Sequence, residues 1–244
     1  MTARAVHWHE GMFLQPHQFQ AEHRYLTARA HRAASWPTHH VWGLRTVEVD
    51  TDALANNRLV VRALQAVFRD GTPIEVPADG LLPTLELKGL FEPGQPLMVY
   101  LAIPALNLGK SNAAEVADPN SRYRLDTQEI EDENTGVNPQ PIRVRLHNLR
   151  LLVGDQDQTG FATLPLVRLV KSALANAPPE VDVSYIPPVL ACDTWPALHG
   201  DILQSLFDRI GRKRERSQVR SRLAAARSSA PTRKTRSRRR TCAN

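Results

Sequence analysis

The imidazoles near the start of the chain are the first residues that could do chemistry. VHWHEGMFLQPHQFQ, Val6 to Gln20, brings three His, one Trp, two Phe, one Met and one Pro into fifteen residues. His7 and His9, spaced i, i+2, can chelate one ion only from a strand, where both side chains share a face. A third ligand would have to come from Glu10, His17 or His39, which sits beside His40. No HExxH and no Cys/His spacing supports such a site. The histidines therefore read as polar groups among aromatics, with no metal and no cofactor. Nucleophile and phosphate motifs are also missing: there is no GxSxG, GxxxxGK[ST] or GxGxxG. EIEDE (Glu129–Glu133) and DENTG (Asp132–Gly136) cluster carboxylates beside a turn, where solvated acids are expected. Carboxylate separation cannot be read from a sequence. A carbohydrate-active β-sandwich therefore stays as an alternative to the expectation that the chain is not an enzyme.

Trp8, Met12, Phe13, Leu14 and Phe19 are too apolar for a free arm, although chain starts are usually frayed and polar. They pack either into the domain's own core or against a partner. Met and aromatics suit interface centres and ordinary cores alike, so both alternatives stand.

Charge is divided unevenly. The chain of 244 residues has net charge +6, yet 13 of its 31 Lys and Arg lie in residues 212–244 with only one acid, Glu215. The body is mildly acidic, so the overall basicity does not mark it as a nucleic-acid binder. A basic-tailed nucleic-acid-binding protein is the second alternative. Against it, the tail has no interleaved aromatics and no recognised module. SSAPTRKTRSRRRTCAN lacks periodicity and reads as a disordered basic tail over residues 228–244. Its Arg/Ser/Thr/Ala/Pro composition is what a GC-rich gene gives when read out of frame, and that origin is favoured. Two cysteines, Cys192 and Cys242, exclude a disulfide framework and fit a reducing, cytoplasmic setting. No signal peptide is visible, and no apolar run approaches the roughly 18 residues of a membrane span.

The elements that must position these residues are mostly strands. FQAEHRYLTARAHRAAS (Phe19–Ser35) is one amphipathic helix, with Phe19, His23, Leu26, Ala30 and Ala33 on a single face. Pro37 stops it. Strands are expected in Val41–Asp50, Arg58–Thr72 with an Asp70-Gly71 turn, Pro83–Leu90 and Leu97–Leu106. Arg122–Gly136 and Pro141–Asp155 alternate with period 2. Ile142, Val144 and Leu146 face one side, and Arg143, Arg145 and His147 the other, which predicts a half-buried antiparallel pair. Gly160–Ala173 and Asp182–Cys192 add extended segments. The spacing predicts a mainly β, sandwich-like domain over residues 1–192. From Asp193 a helix is expected to residue 227, capped by Asp193 or Thr194 with Pro196 in its first turn. Leu198, Ile202, Leu206 and Ile210 form its stripe, which loses register past Gly211.

The opening pattern W-x-E-G-M-x-L-x-P-H-x-F-Q is carried by Trp8, Glu10, Gly11, Met12, Leu14, Pro16, His17, Phe19 and Gln20. With FRDGT (Phe68–Thr72), YLAIP (Tyr100–Pro104), SRYR (Ser121–Arg124) and NLRLLVGD (Asn148–Asp155), it resembles the TssK (ImpJ/VasE) family of type VI secretion baseplate proteins. The resemblance covers about residues 4–225. It implies a cytoplasmic, trimeric, non-catalytic protein with a β-rich shoulder, a helical neck and a head. It further implies that the shoulder docks onto the TssF/TssG wedge and the head contacts TssL and TssM near the inner membrane. On this reading Trp8, Glu10, Met12, Phe13, Leu14, Pro16, His17, Phe19 and Gln20 form an anchoring or partner-interface motif. Leu198, Ile202, Leu206 and Ile210 then belong to the oligomer neck. Family members are roughly twice as long, so a C-terminally truncated product is expected, without the head and with the TssL/TssM contact in doubt. No nucleic acid and no membrane insertion are expected.

Overall fold

Two long neighbouring strands, rich in Val, Leu and Ile, build the centre of the β-domain. The computed structural model describes residues 3–92, 94–114, 118–154, 156–171 and 177–228, with side chains to 221. The basic tail predicted for residues 228–244 lies, beyond Ser228, outside the described residues. In chain order the elements are α1 (Pro16–Ser35), β1 (Gly43–Val49), α2 (Thr51–Ala55), β2 (Arg58–Leu59), β3 (Val61–Val67) and β4 (Pro73–Val76). Then come β5 (Leu85–Glu86), β6 (Leu97–Pro104), β7 (Ala113–Ala114), β8 (Tyr123–Ile130), β9 (Gln140–His147), β10 (Arg150–Val153), β11 (Phe161–Lys171) and β12 (Pro179–Val181). The helix α3 spans Gln204–Ser228. The chain divides into two units, Met1–Ala197 and Leu198–Asn244.

In the first unit a four-stranded sheet runs β10-β6-β11-β12 and a three-stranded sheet runs β1-β3-β4. Both are antiparallel. Their alternate residues supply the core: Leu64, Ala66, Ile74 and Val76 from one sheet, and Val99, Leu101, Ile103 and Leu164 from the other. Pro165 cannot donate to the ladder, and the register shifts between it and Val167. The resulting bulge inserts Leu166, so Leu164, Leu166, Val167 and Leu169 are all buried, which strict alternation would forbid. The predominance of β-structure and the N-terminal helix agree with the sequence. Other details do not. Arg58–Thr72 is broken into β2, β3 and a turn, β4 was not anticipated, and only Leu85–Glu86 of Pro83–Leu90 is a strand. The short helix α2 also went unseen. Asp50 caps it by accepting from the Asp52 and Ala53 amides and pairs with Arg62 at 2.7 Å.

Asp193 and Thr194 do not cap a helix. Asp193 pairs with Arg45 at 3.0 Å, and the Thr194 hydroxyl donates to the Arg45 carbonyl at 2.8 Å. Next to them Trp195 is buried. These contacts fasten the end of the first unit to β1. A turn of π-helix, Ala197–Leu203, precedes α3.

The helix α1 departs most from expectation. It starts at Pro16, whose missing N–H costs nothing at the first helical position. The Gln15 amide donates to the Gln18 side chain at 2.9 Å, and Gln18 Nε2 donates to the Phe13 carbonyl at 3.2 Å. None of its residues is fully buried. Gln18, Ala21, Glu22, Arg24, Tyr25, Ala28, His31 and Ser35 are the partly covered ones, while Phe19, His23, Leu26, Ala30 and Ala33 are exposed. At 100° per residue these two faces are roughly opposite. Small and polar residues line the side of the helix that faces a cavity over the β-domain, and its apolar stripe is turned outward. His31 sits directly against Gly71 in the β3–β4 turn, where φ is +85° and a Cβ would overlap the imidazole. Gly71→Ala should therefore cost about 1–3 kcal/mol in urea unfolding. Adding His31→Ala should recover the steric part. A Gly71→Ala chain as stable as its parent would contradict this seating.

Candidate functional site

The outward face of α1 and the segment before it form one surface. Residues 3–15 run back along the helix, turning at Gly11 with φ 79°. The Val6 amide donates to Glu22 at 2.9 Å, tying the segment to α1. Trp8 packs on Phe19 with ring centroids 5.9 Å apart. His7 and His9 lie 5.9 Å apart as tilted rings, and the His9 imidazole is 2.9 Å from the Glu10 carbonyl oxygen. Among the described residues no group of three His, Cys, Asp or Glu side chains could hold a metal ion.

Of the nine motif residues, Met12 alone is partly covered, and Trp8, Glu10, Phe13, Leu14, Pro16, His17, Phe19 and Gln20 are exposed. Phe13 is 80% exposed, Trp8 46% and Leu26 55%. The chain's own core therefore does not take them up. Fully burying a side chain of this size contributes roughly 1.5–3 kcal/mol. Several rings and a Leu on one face make a surface that gains from being covered. In the second unit Ile202, Leu206 and Ile210 are exposed too, and Leu198 is partly covered.

Beneath α1 lies a polar network that the sequence reading missed. Arg122 is only 4% exposed. It donates to the Pro104 carbonyl at 3.0 Å, Asp70 at 3.1 Å and the Thr72 hydroxyl at 2.7 Å. One guanidinium thus joins the β3–β4 turn, the end of β6 and the start of β8. Burial pushes the Asp70 carboxyl up, but the Thr72 hydroxyl and amide and Arg122 together hold it below the usual carboxylate range. The His147 ring lies tilted against Tyr123, with centroids 5.2 Å apart. Arg122 Nε and His147 Nδ1 are both buried without a hydrogen-bond partner among the described residues. A cavity of about 950 Å³ separates this network from α1, with Arg24, Ala28, Leu106 and Phe161 among its walls. FRDGT and SRYR carried the signal: they hold Asp70, Thr72 and Arg122. Nothing in either stretch, however, shows that the two meet.

His147 makes stability depend on pH. Its pKa is lowered to about 4, first by burial and then by Arg122. An unfolded imidazole titrates near 6.5. Below about pH 6.5 the unfolded state binds a proton that the folded state refuses, so stability is full above that pH and falls toward pH 4. The expected loss is about 1–2 kcal/mol, allowing for screening at a partly exposed ring. His147→Gln should flatten the pH 6.5–4.5 slope in chemical denaturation. An unchanged slope in that variant would refute the assignment.

No helix among the described residues is long and apolar enough to cross a membrane. Residues 18–236 match the family described as Bacterial Type VI secretion, VC_A0110, EvfL, ImpJ, VasE. The type VI secretion system baseplate component TssK1 of Pseudomonas aeruginosa is 29% identical over 197 residues, 79% of this chain and 44% of that protein. The chain spans less than half the length of that curated relative. A crystal structure of TssK superposes with TM-score 0.75 at 25% identity, over 90% of this chain and 49% of that one. TssK in a cryo-electron microscopy structure of the TssK-TssF-TssG baseplate subcomplex gives TM-score 0.72 at 28% identity, over 81% and 65%. The chain belongs to the VasE/ImpJ family of bacterial type VI secretion, the family of TssK.

Proposed function

We propose that this chain is a structural, non-catalytic subunit of a type VI secretion baseplate in the cytoplasm and docks onto a TssF/TssG wedge. One observation carries the docking reading: the motif residues and the outward stripe of α1 form an exposed apolar face that the chain's own core leaves uncovered. Of the two alternatives open at the sequence, core or partner, the partner fits this exposure. The partners are taken from the likeness to TssK in its subcomplex with TssF and TssG. In this reading residues 1–192 act as the shoulder and residues 193–227 as the start of the neck. Leu198, Ile202, Leu206 and Ile210 are the neck's contact stripe in a homotrimer, in keeping with the exposure of the last three. The proposal extends to neither TssL nor TssM.

Co-expression with TssF and TssG tests it, and a stable complex is expected. Phe13→Ala removes a ring with few contacts of its own, so its melting temperature should stay within about 2 °C of the parent. Its affinity for the wedge should fall by about tenfold or more, as for an aromatic anchor. Trp8→Ala also loses the Phe19 contact, and should weaken both stability and binding. A folded chain that forms no complex, or a Trp8→Ala/Phe13→Ala variant with full affinity, would sink the proposal.

A further inference from the structure

Two openings meet beneath the first half of α1. The cavity of about 950 Å³ and a neighbouring groove of about 850 Å³ share Gln20, Arg24, Leu106, Leu108, Tyr123 and Arg145 in their walls. Arg24 comes from α1, Tyr123 from the start of β8, Arg145 from β9, and Leu106 and Leu108 from the segment after β6. All lie within the first unit. Of the strands β8 and β9, only Tyr123, Leu125, Val144, Leu146 and His147 are partly covered. The half-buried pair expected from the alternation is therefore covered only at the end that borders these openings.

Charge at the junction is one-sided. Neither Arg24 nor Arg145 has a carboxylate partner among the described residues. Arg145 lies over the Tyr123 ring at 4.6 Å instead, which steadies its guanidinium and leaves the N–H groups unclaimed. Two carboxylates line the cavity, and both are engaged elsewhere. Asp70 accepts from Arg122 and from the Thr72 amide, and Asp79 accepts from the Glu75 amide at 2.8 Å. No described Asp or Glu lines the groove. In the cavity floor Arg122 is 4% exposed, and its Nε has no partner among the described residues. Facing these cations is an apolar wall of Ala28, Leu106, Leu108 and Phe161. Cavities of this size that combine apolar walls with a few convergent polar groups are the usual form of a small-molecule site.

We infer that this junction binds a small organic phosphate monoester, held at its phosphate by Arg24 and Arg145 and at its apolar body by Leu106, Leu108 and Phe161. The planar fork of an arginine matches phosphate oxygens in pairs. A phosphate monoester carries a charge of about −1.5 to −2 at neutral pH, which two guanidinium groups balance. The Arg122 charge in the floor adds to the attraction, because a half-enclosed site screens it less than bulk water does. Inorganic phosphate would leave the apolar wall wet. A neutral ring would leave both arginines without an acceptor. The site lies on the inward side of α1, opposite its outward stripe, and does not depend on wedge docking.

Titration of the full chain with 1-naphthyl phosphate tests it, followed by calorimetry and by NMR of the aromatic side chains. Saturable binding is expected, with the ring resonances of Tyr123 and His147 shifting and those of Tyr185 staying in place. Inorganic phosphate and 1-naphthol should each bind about tenfold or more weakly, since each meets only half of the site. Arg24→Gln/Arg145→Gln should lower the affinity for 1-naphthyl phosphate by about tenfold or more, and Arg150→Gln, outside both openings, should leave it unchanged. If the double variant does not fold, Arg145→Gln alone changes an exposed side chain and should still weaken binding. Absence of saturable binding, full affinity in the arginine variants, or shifts that bypass Tyr123 and His147 would overturn the inference. So would 1-naphthol binding as well as its phosphate, which means an apolar cavity only, or inorganic phosphate doing so, which means simple anion attraction.

Discussion

A buried guanidinium organises the first unit. Arg122 reaches the turn between β3 and β4 through Asp70 and Thr72, and the end of β6 through the Pro104 carbonyl, while its own backbone begins β8. A charge this deeply placed is costly unless its hydrogen bonds are met. Three of them are met by groups from two different sheets, so those sheets and the start of β8 are held in one arrangement. Asn148 reinforces the start of β8, donating through its amide to the Arg122 carbonyl at 3.0 Å and through its side chain to the Ser121 carbonyl at 2.9 Å. Asp70, Thr72 and Arg122 also form the floor of the cavity beneath α1.

The helix over that junction explains why the apolar face is outside. A helix that must lie across polar groups cannot present Phe19 and Leu26 to them without leaving those groups desolvated. It presents Ala21, Arg24, Ala28 and His31 instead. Arg24 extends into a cavity that stays polar on one side, and His31 rests on a glycine that leaves it room. The cost is a stripe of exposed apolar side chains, lengthened by Trp8 and Phe13 from the preceding segment. A surface with that composition suits an assembly component, where a partner supplies the missing half of the packing.

Patterns with a local cause could be read from the sequence. The period-2 alternation of Ile142, Val144 and Leu146 located β9, and the Val- and Leu-rich run at Leu97 located β6. The 3.6-residue stripe found α1 but not which way it faces, because orientation depends on what lies beneath it. Bulge placement at Pro165, the break of Arg58–Thr72 into β2 and β3, and the capping of α2 by Asp50 hinge on pairing partners far along the chain or on single hydrogen bonds. Asp193 and Thr194 looked like helix caps by type and position. Tertiary contact with Arg45 decided otherwise. Of the candidate site, the motif was legible as residues, through resemblance, but its exposure was not. The Arg122 network joins residues 52 apart in sequence and left no spacing signal.

Hydrogen exchange on the chain, alone and mixed with TssF and TssG, addresses the central claim most directly. The account predicts slowed exchange at the amides of residues 6–26 on mixing, where the chain alone leaves the outward face bare. Complex formation with protection elsewhere and none across residues 6–26 would contradict it.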